Sequence, residues 1–282
     1  MVGDRQNRFN GDLARALIHI ALEWVHINDD VLTELRRLAG KVPTPAPGLT
    51  AKNKRFLRQF DDPAVLQRLH GLPARLWAEI KRESKHNQRT LAKAQVAIAV
   101  AILCYMPVRL QNLSDLTFDL HLFLREGARA TSTLELSADE VKNRSELAFD
   151  IPLHVAKMLL EYRNTIAPRI IGHRPERLFV TVHGTPKSRE TLAVLLRTYL
   201  NRRAGIVISA HQFRHLSAKI LLDAEPGSFE TVRQLLGHTN MRTTVGAYAG
   251  IDSRRAARHH QHLVEEALAT QKTIQPSRNQ VS

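Results

Sequence analysis

The chain has 282 residues, 43% of them hydrophobic, with one cysteine and 41 Lys or Arg against 27 Asp or Glu, a formal net charge of +14. That length allows one large domain or two ordinary ones with packed cores, and the single Cys104 excludes an internal disulfide and any multi-cysteine metal centre. The cationic excess makes a polyanion the expected partner, nucleic acid ahead of an anionic membrane surface, because each Lys or Arg set on a phosphate releases a condensed counterion.

At the N-terminus, MVGDRQNRFN carries charges but no following secretory h-region, so a cytoplasmic location is expected. Leu13, Ala16, Leu17, Ile20, Ala21 and Trp24 recur at helical spacing and predict an amphipathic helix. The stretch KVPTPAPGLT at 41–50 cannot continue it, having three prolines and a glycine. Helical patterns resume in AKNKRFLRQF and PAVLQRLHGL, and residues 1–75 read as a small basic helical module ending near GLPARLW.

The apolar run VAIAVAILCYMPV at 96–108 is too short for a membrane span, which needs about 18 residues. It reads as a core helix over 90–106, with Cys104 a buried and inert thiol. STLEL at 132–136 and ELAFDI at 146–151 flank the polar SADEVKNRS and predict a β-hairpin carrying Lys142 in its turn. Pro152 opens a helix through Val155, Met158, Leu159 and Tyr162, and another spans about 188–203, stopping near Gly205. SRRAARHHQHLVEEALA at 253–269 predicts a last helix, and the polar residues 271–282 a disordered tail. The fold class is mainly α with a small antiparallel β-sheet (α+β).

The densest chemistry is HQFRH at 211–215. Ser209 and Gln212 form a capping-box pattern, which makes Ser209 an N-cap and sets His211 in the first turn, where free N–H groups and the helix dipole favour an anion. Arg214 and His215 lie three and four residues further on, on the same face. That face suits a phosphate. Two histidines at this spacing also occur in zinc helices, but the hydrolytic motif has Glu where this chain has Gln212, and Arg214 beside a dication is unfavourable. No metal and no cofactor are therefore expected. His215 also reads as a satisfied, half-buried histidine.

Around this motif stand MPVRLQNL with Arg109, EVKNR with Lys142, LLGH with His238 and TTVGAYAG with Tyr248. In this order, from about residue 80 to 255, they resemble the phage-integrase family of tyrosine recombinases, whose pattern is Arg, Lys, His-x-x-Arg, His or Trp, then Tyr. The resemblance implies a catalytic domain over 76–270, preceded by a small helical core-binding domain that clamps DNA, here short for a complete one. It further implies double-stranded DNA as partner, assembly as a homotetramer on synapsed DNA, and no small-molecule substrate. Asn112 stands where the family usually has Glu, which removes an acidic support for Arg109, although Asn can still accept a hydrogen bond.

On this resemblance Tyr248 attacks the scissile phosphorus and forms a 3′-phosphotyrosine, keeping the bond energy. His211 takes the phenolic proton. Arg109 and Arg214 stabilise charge on the non-bridging oxygens with guanidinium forks, and His238 adds a hydrogen bond. Lys142 is the general acid for the leaving 5′-oxygen, with Lys187 of HGTPKS its substitute, and His215 orients its neighbours. A non-catalytic DNA-binding protein that keeps the scaffold is the alternative, and Tyr248 separates the two.

Overall fold

Side-chain caps mark the start of the helices that begin at Asp29, Ala51, Pro63, Gln88 and Arg189. The computed structural model describes residues 2–42, 49–127, 131–242 and 244–248, with positions 257, 260, 261 and 263–265. By chain contacts it divides into two compact units, Met1–Gly48 and Leu49–Ser282.

In the first unit α1 (Val2–Ile20) passes into a π-helical turn (Ala21–Val25) that stops at His26, whose φ of 49° is left-handed. Asn28 then caps α2 (Asp29–Gly40), its Oδ1 accepting the Val31 N–H at 3.0 Å. Of the Pro-rich interruption, residues 43–48 lie outside the described residues.

The second unit starts with α3 (Ala51–Arg58), where Thr50 Oγ1 accepts the Asn53 N–H, followed by a 3-10 turn (Gln59–Asp61). Asp62 caps α4 (Pro63–His70), and α5 (Leu72–Arg82) follows directly. The compact units part at Gly48 and Leu49, inside the 1–75 module expected from the sequence. The reason is burial: Leu57, Phe60, Leu69 and Leu72 belong to the same apolar core as Ile98 and Ile102. Polar composition disguises that face, since α3 buries little besides Leu57.

Asn87 and Thr90 cap α6 (Gln88–Tyr105) reciprocally, and its middle, from Val96 to Leu103, is buried on all sides. A helix apolar all round belongs inside the domain, as its sequence predicts. Cys104 is partly buried against that core, and burial pushes its thiol up to about 12, consistent with an inert role. No helix among the described residues is long and apolar enough to cross a membrane.

After α7 (Leu110–Asp115) comes a three-stranded antiparallel sheet in the order β1 (Leu122–Phe123), β2 (Ser132–Leu136), β3 (Leu147–Ile151). Ser132, Leu134 and Leu136 face the core at the period of two, and Leu134 pairs with Phe149. The hairpin stands as the sequence predicts; β1 has only two residues, too few for an alternation to be read.

The helices α8 (Leu153–Glu161), α9 (Pro168–Ile171), α10 (Arg189–Ala204), α11 (Ala210–Ala224) and α12 (Phe229–Leu235) complete the unit. Ser188 caps α10, and Gly205 at φ 68° ends it in the left-handed conformation, five residues before α11 starts. Residues 244–248 are helical. Most of the expected helix at 253–269 and all of the tail past 270 lie outside the described residues.

Candidate active site

The capping pattern before α11 forms as expected: Gln212 Oε1 accepts the Ser209 N–H at 2.9 Å and the Ser209 hydroxyl at 3.1 Å. This fixes the first turn and sends His211, Arg214 and His215 out of one side of the helix. Arg214 is 3% exposed. Its Nη1 donates to Pro107 O at 2.7 Å and its Nη2 to Leu236 O at 2.5 Å, so carbonyls from beyond α6 and from the end of α12 hold the guanidinium in place. Neither partner carries charge. Burial, followed by the nearby Arg109, pulls the Arg214 guanidinium down to about 10.

Arg109 precedes α7 with an extended backbone (φ −70°, ψ 152°) and is itself held below the usual arginine range by burial. Its Nη1 is buried with no hydrogen-bond partner among the described residues. A buried donor without a partner is unfavourable by about 1–3 kcal/mol, and more for a charged group, so an anion is its natural complement. Arg109, His211 and Arg214 line one cleft of about 330 Å³, walled by Val194, Arg197 and Leu200 of α10.

The phenol is buried as well. Tyr248 is only 2% exposed, and its hydroxyl is 2.8 Å from His215 Nδ1. Burial raises it to about 12, opposed by Arg214. On its far side the His215 ring meets Asn53 of α3, Nε2 to Nδ2 at 3.2 Å. Burial first, then the charges of His211, Arg214 and His238, hold His215 down to about 4. His211 packs edge to face on His215 at 4.7 Å, and burial and the two arginines lower it too. The sequence shows no apolar stripe around Tyr248; its burial comes from α11 and is a tertiary effect.

His238 follows the turn after α12. Its N–H donates to Arg233 O at 2.9 Å, Arg233 Nη1 donates back to His238 O at 2.8 Å, and its Nδ1 lies 3.0 Å from Thr244 Oγ1. Burial, then Arg214 and Arg109, depress it to about 4. The site thus holds two guanidinium cations among imidazoles kept neutral by one another's surroundings. Among the described residues no group of three His, Cys, Asp or Glu is placed to hold a metal ion.

Lys142 is not brought into this cluster by contact. It is exposed in the β2–β3 connection, which is tied down on both sides of it. Asn112 Nδ2 donates to Glu140 O at 2.9 Å, and Asn143 Nδ2 donates to Gly237 O at 2.6 Å. Asn112 therefore supports the hairpin through a donated bond and does not accept one from Arg109. The other candidate, Lys187, points inward: its Nζ donates to the buried Gln95 Oε1 at 2.5 Å, and burial lowers it to about 8. Gln95 in turn donates to Val180 O and Tyr162 Oη.

Asn53 and Asn143 are the parts of the site that the sequence does not disclose. Both are ordinary polar residues whose partners lie 162 and 94 positions away.

No curated protein sequence matches the chain significantly. Among solved structures the fold is similar to XerH site-specific recombinase in its post-cleavage complex with a palindromic difH substrate. The TM-score is 0.50, with 18% identity, covering 79% of this chain and 54% of that one. The chain thus spans about half the length of XerH. XerA recombinase follows at a TM-score of 0.46 and 16% identity, covering 88% of this chain and 81% of that one. A lambda integrase dimer bound to a COC′ core site gives 0.38 and 14%, covering 82% and 92%. Residues 79–255 match the profile of the phage integrase family. With most of its length inside that match, and with the same mostly helical fold around a small antiparallel sheet, the chain belongs to the phage integrase family, the tyrosine recombinases.

Proposed function

We propose that the protein is a site-specific DNA strand transferase that cleaves and rejoins duplex DNA through a covalent 3′-phosphotyrosine. The observation that carries this reading is the convergence of Arg109, Arg214 and His211 on one cleft, with a buried Arg109 N–H left unpaired there. A phosphodiester supplies the missing acceptor, and two fixed guanidinium forks meet the charge that grows on its non-bridging oxygens during in-line attack.

Tyr248 Oη forms the bond to phosphorus while the P–O5′ bond breaks. The phenolic proton passes to His211, whose neutral ring can take it, and the leaving 5′-oxygen is protonated by Lys142. Lys142 takes this role rather than Lys187 because it is exposed on the hairpin, whereas the Lys187 ammonium is engaged inward by Gln95. His238 donates a further hydrogen bond to the phosphate. Rejoining runs the same steps backward, with the 5′-hydroxyl attacking the phosphotyrosine. The helical residues before 76 serve as a DNA clamp, and the protein assembles as a tetramer on paired sites.

Deep burial of Tyr248 also favours a second reading, a DNA-binding scaffold that no longer cleaves. A nicked suicide substrate separates them. Wild type is expected to give a denaturant-resistant protein–DNA adduct that Tyr248→Phe abolishes without loss of affinity. Binding with no adduct in wild type selects the scaffold reading.

A further inference from the structure

The contact between Asn53 and His215 reaches the site from α3, outside the segment matched by the family profile. We infer that Asn53 is a positioning residue that fixes His215 as its Nδ1–H tautomer, so that the imidazole donates a hydrogen bond to the Tyr248 oxygen. The consequence for cleavage rests on the strand-transfer reading above; the tautomer itself does not.

Donors and acceptors must match at both ring nitrogens. An amide nitrogen such as Asn53 Nδ2 can only donate, so His215 Nε2, 3.2 Å away, accepts and is bare of hydrogen. A neutral imidazole carries one proton, which must then sit on Nδ1, 2.8 Å from Tyr248 Oη. The ring is held neutral by its burial and by the cations and imidazoles around it, Arg214, His211 and His238.

A donor aimed at a phenolic oxygen favours the phenolate over the phenol. It also leaves the phenol's own hydrogen free to depart toward His211 or a phosphate oxygen. With the opposite tautomer His215 Nδ1 would accept that hydrogen and hold the phenol protonated. The position of α3 is itself secured at a second point, because Lys219 of α11 pairs with Asp61 at 2.7 Å, eight residues beyond Asn53.

Nitrogen NMR of the histidine-labelled, DNA-free protein at neutral pH tests this, with the His215 signals identified by their absence in His215→Gln. Wild type is expected to show Nδ1 protonated and Nε2 bare. Asn53→Asp replaces the donor by an acceptor, so the proton should move to Nε2. Folding is preserved in that variant, since the third position of a helix favours Asp and the Thr50 cap uses only the Asn53 backbone. Cleavage of the suicide substrate by Asn53→Asp, measured with protein in saturating excess so that affinity does not enter, should then fall by about 10- to 100-fold, as when a partner orienting a metal-ligating imidazole is lost.

Protonated Nε2 in wild type, or an unmoved proton in Asn53→Asp, overturns the assignment. A moved proton with wild-type cleavage overturns the positioning role. Absence of any adduct in wild type would overturn the strand-transfer reading instead, and the NMR result would still decide the tautomer.

Discussion

Acid should unfold this protein partly through His215. Its imidazole is held down to about 4 in the folded chain against 6.5 for an ordinary histidine. Between those values the unfolded chain binds a proton that the folded chain refuses, so stability rises with pH across this window and is lost on acidification from 6.5 toward 4. At about pH 5 the unfolded ring is almost fully protonated and the folded ring mostly not, which by linkage corresponds to about 2 kcal/mol. Residual solvent at the ring edge screens part of it, and about 1–2 kcal/mol is the expected share.

The assay is urea unfolding at about pH 7.5 and about pH 5 for wild type and His215→Gln. Gln cannot titrate, and its lost hydrogen bonds lower stability equally at both values. Carboxylates and His238 contribute alike to both proteins and cancel. Wild type should therefore lose about 1–2 kcal/mol more than the variant on going to about pH 5. Equal losses would refute the account of a neutral, proton-refusing His215 between Asn53 and Tyr248.

Gly237→Ala should cost about 1–3 kcal/mol in unfolding free energy, because φ is 56° there and a Cβ would sit 2.9 Å from Leu147 Cδ2. Since the flanking carbonyls of Leu236 and Gly237 hold Arg214 and Asn143, adduct formation should fall as well; an unchanged urea midpoint would contradict this. Lys142→Ala should slow cleavage by about 10²- to 10⁴-fold on ordinary DNA, yet react near the wild-type rate when sulfur replaces the 5′-bridging oxygen, since a thiolate leaves without an acid. Rescue of Lys187→Ala instead would transfer the role to Lys187. Duplex binding should weaken by about 10³- to 10⁵-fold between about 50 and 200 mM salt if six to ten phosphates are contacted, and Arg109→Gln should reduce the slope by about one. A flat response in a salt titration would count against DNA as the partner.

Patterns complete within a few residues are legible in the sequence alone: the apolar run of α6, the alternation of β2 and β3, the Ser209–Gln212 cap that orients His211 and Arg214, and the glycine that ends α10. Local propensity and periodicity act over one or two turns, so a single chain displays them. Net charge points to a polyanion for a similar reason, being a sum that needs no geometry. Even the order of Arg109, Lys142, His211, Arg214, His238 and Tyr248 is a linear property.

Tertiary structure decides the rest. It assigns residues 51–70 to the large unit, because their few apolar side chains find partners only in the distant α6 core. It turns Asn112 from an expected acceptor for Arg109 into a donor to the hairpin, directs Lys187 inward to Gln95, and buries Tyr248 against His215. Each of these depends on which atoms meet across scores of residues in sequence, and whether a polar group becomes donor, acceptor or titrating base depends on that encounter and on how much water it excludes.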